Sequence, residues 1–492
     1  MRDRMTRRTF IGSALATGFA AWARTGVPAP AAPRLRFGVM SDMHITDAAS
    51  CTAVAKALRY FRERDVGAVV FAGDMIDNGL VGELELFAKT WFDVFPDGCG
   101  RDGRKVELLA VLGNHDLQRW TKEWADEIGM PWDRVLREDL DRPGCFAAEW
   151  KRLFGCAYEP LWTKSVGGVR FVGSSYQYRA DHQRRTAPAG EEEMPQFLER
   201  HRAELAKDEF FFFIQHMHPQ GTCSAPWTWG QDDGTATEIL RTFPNAIALS
   251  GHSHTPLNDE RTLWQGAFTS VGTGAMGFLI PFGGRENSEI DGAPDTGDQL
   301  LPRLRPADGK HAMLVSVFGD RIAFERRDFM YDLPLGDDWV VPLPLGGAPC
   351  AAERRAAKAR APQFAAGVKP DVSFGRVKSR TGVESDGLTV SFPNVFAADG
   401  GTRAFDFEVA LEERETDVVQ IRKTKRVYSS GYYRGEAADE KTVRCPFLLS
   451  DLPAANGGKL DASRGRAYRF IVRPCDSFGN RGRPVFTEWR ER

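Results

Sequence analysis

Several short stretches of this 492-residue chain pair groups that bind cations. "VMSDMH" places Asp42 and His44 two residues apart, and "LSGHSH" does the same with His252 and His254. "AVLGNHD" sets Asn114, His115 and Asp116 side by side. "VVFAGDMIDNG" adds Asp74, and "FFFIQHMHP" adds His216 and His218. Six of the nine histidines fall in these clusters; His182, His201 and His311 lie elsewhere, where surface roles or roles behind the site suit them. Carboxylate oxygen and imidazole nitrogen suit first-row divalent or trivalent metals. The absence of thiolate among them argues against a structural zinc site. A lone carboxylate such as Asp74 can bridge two ions. Asp77 and Asn78, just beyond it, read as turn formers.

Each cluster follows a short apolar run: Leu35–Met40, Ala68–Ala72, Val106–Leu112, Glu209–Ile214 and Ala246–Leu249. Runs at Val169–Gly173 and Ala312–Phe318 have the same texture. Near-continuous hydrophobicity marks strands covered on both faces. In open α/β sheets the carboxyl ends of such strands line one crevice, so groups distant in sequence converge there. A D-x-H pair on an extended strand end would direct both side chains to one face, because the period is two. Gly73, Gly113 and Gly251 let the backbone turn close to the site. "AVAKALRYFRERD", Ala53 to Asp65, repeats Val54, Ala57, Leu58 and Phe61 at helical spacing. A second helix is expected near Gln196 to Lys207. Alternating strands and helices predict a layered α/β domain.

After Val340 the texture changes. Pro342, Pro344, Gly346, Gly347 and Pro349 form a breaker cluster, followed by the basic, alanine-rich "AAERRAAKARAPQFAAG". Beyond Lys369, "AFDFEVAL" sets Phe405, Phe407, Val409 and Leu411 on one face and Asp406 and Glu408 on the other. Leu388, Val390 and Phe392 alternate likewise, and Tyr468 to Val472 reads as another strand. These signals predict an all-β sandwich of immunoglobulin- or fibronectin-like type. The expected organisation is an export signal and spacer over 1–33, a catalytic domain over 34–340, a linker over 341–368 and a β-sandwich domain over 369–492.

The ordered set D-x-H, G-D, G-N-H-D, H and G-H-x-H, spread over roughly residues 35 to 330, resembles the calcineurin-like metallophosphoesterase superfamily. That superfamily includes purple acid phosphatases and cyclic-nucleotide phosphodiesterases. The resemblance implies a layered β-sandwich flanked by helices and two metal ions, of manganese, iron, zinc or a similar element. It implies that Asp42, His44 and His254 hold one ion, that Asn114, His216 and His252 hold the other, and that Asp74 bridges them. His115 would contact the substrate phosphate or leaving oxygen, and Asp116 would orient His115. The implied reaction is phosphodiester or phosphomonoester hydrolysis by a metal-bridging hydroxide attacking phosphorus in line. Family members often carry H-x-P where this chain reads "QHMHP", so His218 competes with His216 as the ligand.

The net charge of −2 offers no general basis for nucleic-acid binding. No G-x-S-x-G elbow or P-loop is present. "MTRRTFIGSALATGFAAWA", with Arg7, Arg8 and Phe10, resembles a twin-arginine export signal, with small-residue cleavage sites at Ala21-Trp22-Ala23 and Ala29-Pro30-Ala31. It predicts a periplasmic or extracellular protein without a membrane span once processed. Eight cysteines without CxxC spacing permit disulfides, Cys445 with Cys475 among them, and equally permit buried thiols. Trp227 and Trp229 either pack their Gly/Pro-rich loop or flank a substrate's organic group. Arg119 and Arg179 are candidate phosphate contacts. A rival to the hydrolase is a degenerate metal-containing protein whose β-domain docks a surface partner or polysaccharide. Its complete ligand set argues against that reading.

Overall fold

The computed structural model describes residues 32–120, 146–176, 193–223, 229–280, 309–378, 384–395, 403–415, 418–429, 441–448 and 466–491. The stretch expected to be an export signal, up to residue 31, lies outside the described residues, as do His182, Arg179, Trp227 and the side chain of Arg119. The chain separates into Met1–Ala32 and a compact unit Pro33–Arg492, within which everything below lies.

Two sheets face each other across one core. The first contains β1 (Leu35–Met40), β2 (Ala68–Ala72) and β3 (Glu107–Val111) in parallel. The second is built on β4 (Leu161–Val166), β5 (Val169–Ser174), β6 (Phe211–Gln215), β7 (Ala246–Ser250), β8 (Leu263–Gln265) and β9 (Thr269–Gly272) in the order β4-β5-β6-β7-β9-β8, with β5, β6, β7 and β9 parallel. β10 (His311–Val317) returns antiparallel beside β1 and leads on to β11 (Arg321–Asp328), β12 (Leu333–Pro334) and β13 (Trp339–Pro342). Phe37, Val39, Val70 and Val111 meet Phe171, Phe212, Ile214, Leu249 and Val271 between the sheets.

The run Phe210–Ile214 shows why these strands read as continuous hydrophobic segments. Phe210, Phe212 and Ile214 enter the core between the sheets, while Phe211 and Phe213 pack outward on Phe197, Leu198 and Leu240 of the helices Met194–Arg200 and Thr235–Leu240. Both faces of the strand are therefore dry. On the far side, α1 (Cys51–Glu63) lays Val54, Ala57, Leu58 and Phe61 on Met40, Val69 and Phe71. α2 (Val81–Val94) adds Leu84, Phe87 and Trp91. The result is a mixed α/β layered fold, helices outside and two sheets within. The second expected helix is split, into Met194–Arg200 and Arg202–Leu205, with His201 at the junction.

The segment 341–368 carries the helix Ala352–Lys358. Arg355 on it donates to the carbonyls of Glu260 (2.6 Å) and Leu263 (3.2 Å) and meets the Glu260 carboxylate. Beyond it stand two antiparallel sheets. One orders β14 (Asp371–Lys378), β15 (Glu384–Pro393) and β18 (Thr442–Leu448). The other is built on β16 (Asp406–Glu415), β17 (Val418–Tyr428) and β19 (Arg466–Cys475). Val390, Phe392, Phe407, Val409, Phe447 and Phe470 share one core between them. Phe407, Val409 and Leu411 face this core as expected, whereas Phe405, also buried, lies outside it with the Arg261 guanidinium 4.8 Å from its ring. The opposite face is not simply solvated: Asp406 is buried against Arg426 (2.7 Å), and Glu408 against Arg481 (3.0 Å). Cys445 and Cys475 are buried in these sheets.

Candidate metal centre

The clusters named above all lie just past the carboxyl ends of parallel strands: Asp42 and His44 after β1, Asp74 after β2, Asn114 and His115 after β3, His216 after β6, and His252 and His254 after β7. The expectation of a D-x-H pair on an extended strand end needs correction. β1 ends at Met40 and β7 at Ser250, and the paired residues have left-handed backbone: φ is 49° at Asp42, 46° at His44, 67° at His252 and 56° at His254. Asp74 joins them at φ 50°. Such conformations cost about 1 kcal/mol or more each outside glycine, and they persist only where the surroundings enforce them. Here successive loops hydrogen-bond to one another. Asp42 N–H donates to Gly73 O (3.0 Å), Met43 N–H to Asp74 O (2.8 Å) and Gly277 N–H to Asp42 O (2.6 Å). His252 N–H donates to both Asp42 oxygens at 2.9 and 3.0 Å. The two glycines beside Asp74 have no room for a side chain. A Cβ on Gly113 would fall on the Asp74 carboxylate, and one on Gly73 would meet the His216 ring.

The convergence forms three overlapping groups: Asp42, His44 and His254; His44, Asp74 and His115; and Asp74, His216 and His252. Asp74 Oδ2 lies between the outer two, 3.1 Å from His216 Nε2 and 3.8 Å from His44 Nε2. Outward hydrogen bonds set the tautomers. His216 Nδ1 donates to Ala72 O (2.9 Å), His254 Nδ1 to Phe278 O (2.8 Å) and His115 Nδ1 to Asp77 O (2.8 Å). A carbonyl can only accept, so each of these Nδ1 atoms holds the proton and each Nε2 turns a lone pair inward. His44 Nδ1 donates to Asp77 Oδ1 (2.7 Å). His252 is the reverse, its Nδ1 facing His216 Nε2 at 3.0 Å.

These donors fit metal ions. His44 and His254 bring Nε2 atoms to 3.2 Å of each other, which two lone pairs tolerate only around a shared cation or proton. Asn114 Oδ1 is buried without a hydrogen-bond partner, and Asp74 Oδ2 has none in hydrogen-bonding geometry. Buried oxygens of this kind call for an ion. In the metal-free protein protons stand in. Burial works against charge on His216, but the Asp74 carboxylate outweighs it and lifts the imidazole to about 9. His115 likewise reaches about 9 against its own burial, through Asp77 and Asp74. Burial opposes ionisation of Asp42 too, yet the His254, His216 and His44 rings hold its carboxyl below the usual range. Burial and the neighbouring His216 press His252 down to about 2.

His218 is absent from all three groups. Its Nδ1 and Nε2 sit 2.7 and 2.6 Å from the hydroxyls of Ser250 and Ser253, and burial lowers it to about 4. It anchors the following loop instead, through His218 N–H to Gly230 O (3.0 Å). The expectation that Asp116 orients His115 also needs correction. Asp116 accepts from the backbone N–H of Ile76 (3.0 Å) and Gly113 (2.8 Å), so it stitches the β2 and β3 loops together; burial and the Asp74 charge push it up to about 7. Asp77, read as a turn former, is the residue that holds both His44 and His115, with its Oδ1 3.3 Å from His115 Nδ1. Its spacing three beyond Asp74 was the signal available. Phe278 was missed as well: its ring lies 4.2 Å from that of His254, and no motif marks it. Trp229 is 46% exposed, its ring 4.8 Å from that of His252.

Residues 35–256 match the family described as calcineurin-like phosphoesterase. No curated protein matches the chain. Among solved structures it is similar to a dimetal phosphatase from Danio rerio, at 12% identity over 63% of this chain and 99% of that one, with a TM-score of 0.38. It is also similar to GAP50, the anchor in the inner membrane complex of Plasmodium, at 10% identity, 66% and 93% coverage and a TM-score of 0.35. A Vps29 single mutant from Entamoeba histolytica matches at 12% identity, 63% and 99% coverage and a TM-score of 0.28.

Proposed function

We propose that the chain is an exported, binuclear metal-dependent phosphoester hydrolase. Asp42, His44 and His254 would hold one ion, Asn114, His216 and His252 the other, and Asp74 would serve both. The observation that carries this reading is the position of Asp74 Oδ2 between two ligand groups, together with the unsatisfied Asn114 Oδ1 just past β3. When bound, such an ion pair supplies Lewis acidity toward a phosphoryl oxygen and acidifies a water molecule. The chain's own residues do the rest. His115, its side chain 31% exposed, has Nδ1 fixed on Asp77 O and Nε2 free to face the ester. It holds a proton there that can pass to the leaving oxygen. Asp77 keeps His44 and His115 in register, so metal geometry and proton delivery share one carboxylate. Export through the twin-arginine route is supported by Arg7, Arg8 and Phe10, and no helix among the described residues is long and apolar enough to cross a membrane. The C-terminal sheets are proposed to follow immunoglobulin- or fibronectin-like connectivity.

The test is hydrolysis of p-nitrophenyl phosphate and bis(p-nitrophenyl) phosphate by protein of measured metal content, with manganese added. Turnover that EDTA abolishes and manganese restores is expected. His115→Ala should retain the metal and lose about 10²- to 10⁴-fold in kcat. Full metal occupancy with no turnover on either ester, or on a wider phosphoester panel, overturns the hydrolase reading and favours a metal-containing binding protein.

A further inference from the structure

The imidazoles at the centre are held, with one exception, by a hydrogen bond to a fixed oxygen: His216 by Ala72 O, His254 by Phe278 O, His115 by Asp77 O and His44 by the Asp77 carboxylate. His252 is the exception. Its Nδ1 faces His216, and its Nε2 meets no hydrogen-bond partner among the described residues. A ligand ring without such a bond can swing about its side-chain torsions unless packing stops it. Packing does so here. The Trp229 ring stands 4.8 Å away at 63°, and a Cβ on Gly230 would come within 3.0 Å of His252 Cδ2 and 3.4 Å of Ser253 Cα. The backbone beneath the ring needs holding too, since His252 has φ 67°.

One buried residue reaches both the loop and the segment packed on it. His218 Nδ1 lies 2.7 Å from Ser250 Oγ and its Nε2 2.6 Å from Ser253 Oγ, the hydroxyls on either side of Gly251 and His252. Its main chain takes the other segment: His218 N–H donates to Gly230 O (3.0 Å), and its carbonyl accepts from Asp232 N–H (2.8 Å). His218, Ser250 and Ser253 are all deeply buried. A neutral imidazole has one donor and one acceptor, and hydroxyls complement either tautomer, so both contacts are satisfied. We propose that His218 is a positioning residue for the ion that Asn114, His216 and His252 would hold. By tying Ser250 and Ser253 to the Gly230 segment, it does for His252 what a direct hydrogen bond does for the other rings. His254 has its own bond to Phe278 O, so the ion at Asp42, His44 and His254 should depend on His218 much less. The proposal rests on the metal-centre reading above.

The experiment titrates manganese into the metal-stripped full chain. Calorimetry gives the affinity for each ion, and electron paramagnetic resonance distinguishes an exchange-coupled pair from an isolated ion. His218→Phe keeps a ring and removes both hydrogen bonds. It is expected to weaken the second ion about tenfold or more, as loss of an outer partner does, to change the first much less, and to replace the coupled signal by that of an isolated ion. His218→Gln, whose amide can still meet a hydroxyl, should recover part of the loss. Ser250→Ala with Ser253→Ala should act in the same direction, and adding His218→Phe to that pair should cost little more, because all three remove the same contacts. A folded His218→Phe chain that takes up both ions as the parent does, or that loses both alike, overturns the proposal. Loss of the second ion in His218→Gln with the serine pair unaffected makes His218 a ligand and also overturns it. Where His218→Phe does not fold, the serine pair decides: parent-like affinity for both ions overturns the proposal, and selective loss of one upholds it. A parent chain that takes up no manganese overturns the metal-centre reading as well.

Discussion

His216 carries a proton that a metal must displace, and His115 carries one that it keeps beside the site. Each imidazole sits near 9 in the metal-free protein, against 6.5 for the free side chain. A histidine raised in this way stabilises the fold fully below about pH 6.5 and loses that contribution as pH rises through 9. The EDTA-treated protein should therefore melt at lower temperature as pH is taken from 6.5 to 9. Metal affinity should move oppositely, because binding releases His216's proton, by up to about tenfold per pH unit in this window. Calorimetry in two buffers of different ionisation enthalpy counts the protons, and release of none contradicts the assignment of His216. Asp77 is the second prediction at this scale. Asp77→Asn keeps the shape but weakens the hold on His44 Nδ1 and His115 Nδ1, and should cost about 10- to 100-fold in activity or metal affinity. Asp116→Asn should instead act on stability, since its contacts are backbone N–H groups.

Loops, rather than strands, set the ligand geometry. Five candidate ligands adopt left-handed backbone, and each loop is tied to the next by hydrogen bonds between strand ends. The β2 and β3 loops approach so closely that Gly113 admits no Cβ against Asp74. Gly113→Ala must push Asp74 aside. We expect the variant to fold with roughly 1–3 kcal/mol less stability and to lose metal. Chemical denaturation alongside metal analysis separates these effects, and full metal retention would show that the loop can yield.

At the scale of the whole molecule, the segment after His254 is clamped from several sides. Glu260 receives Arg326 Nη1 (2.9 Å), Trp339 Nε1 (2.8 Å) and Arg355, while its own N–H donates to Ser477 Oγ (3.1 Å) near the end of the chain. Asn480 Nδ2 donates to Ala356 O (3.0 Å), which ties the helix Ala352–Lys358 to the same region. The C-terminal strands thus lean on the loop that follows the paired histidines. Glu260→Ala removes the carboxylate shared by two largely buried guanidinium groups and should cost about 3–5 kcal/mol. A fall in metal affinity along with melting temperature would show that the clamp also holds His252 and His254 in place. Loaded metal should itself raise the melting temperature, by about 2.7 kcal/mol of stability at a hundredfold excess over Kd.

Much of this was written in the chain's local pattern. Apolar runs ending in Asp, Asn and His identify the strands and the residues that meet beyond them, because strand burial and cation-binding chemistry both depend on residue type over a few positions. The choice between His216 and His218 could not be made that way. Both follow the same strand, and only packing put one beside Asp74 and the other between Ser250 and Ser253. The exchange of roles between Asp77 and Asp116 has the same origin: a carboxylate's partner depends on which loop folds over it. The left-handed turns and the Asn114 oxygen awaiting a partner arise from contacts between segments far apart in the chain. Local sequence names the groups able to react, and long-range packing decides which way each of them points.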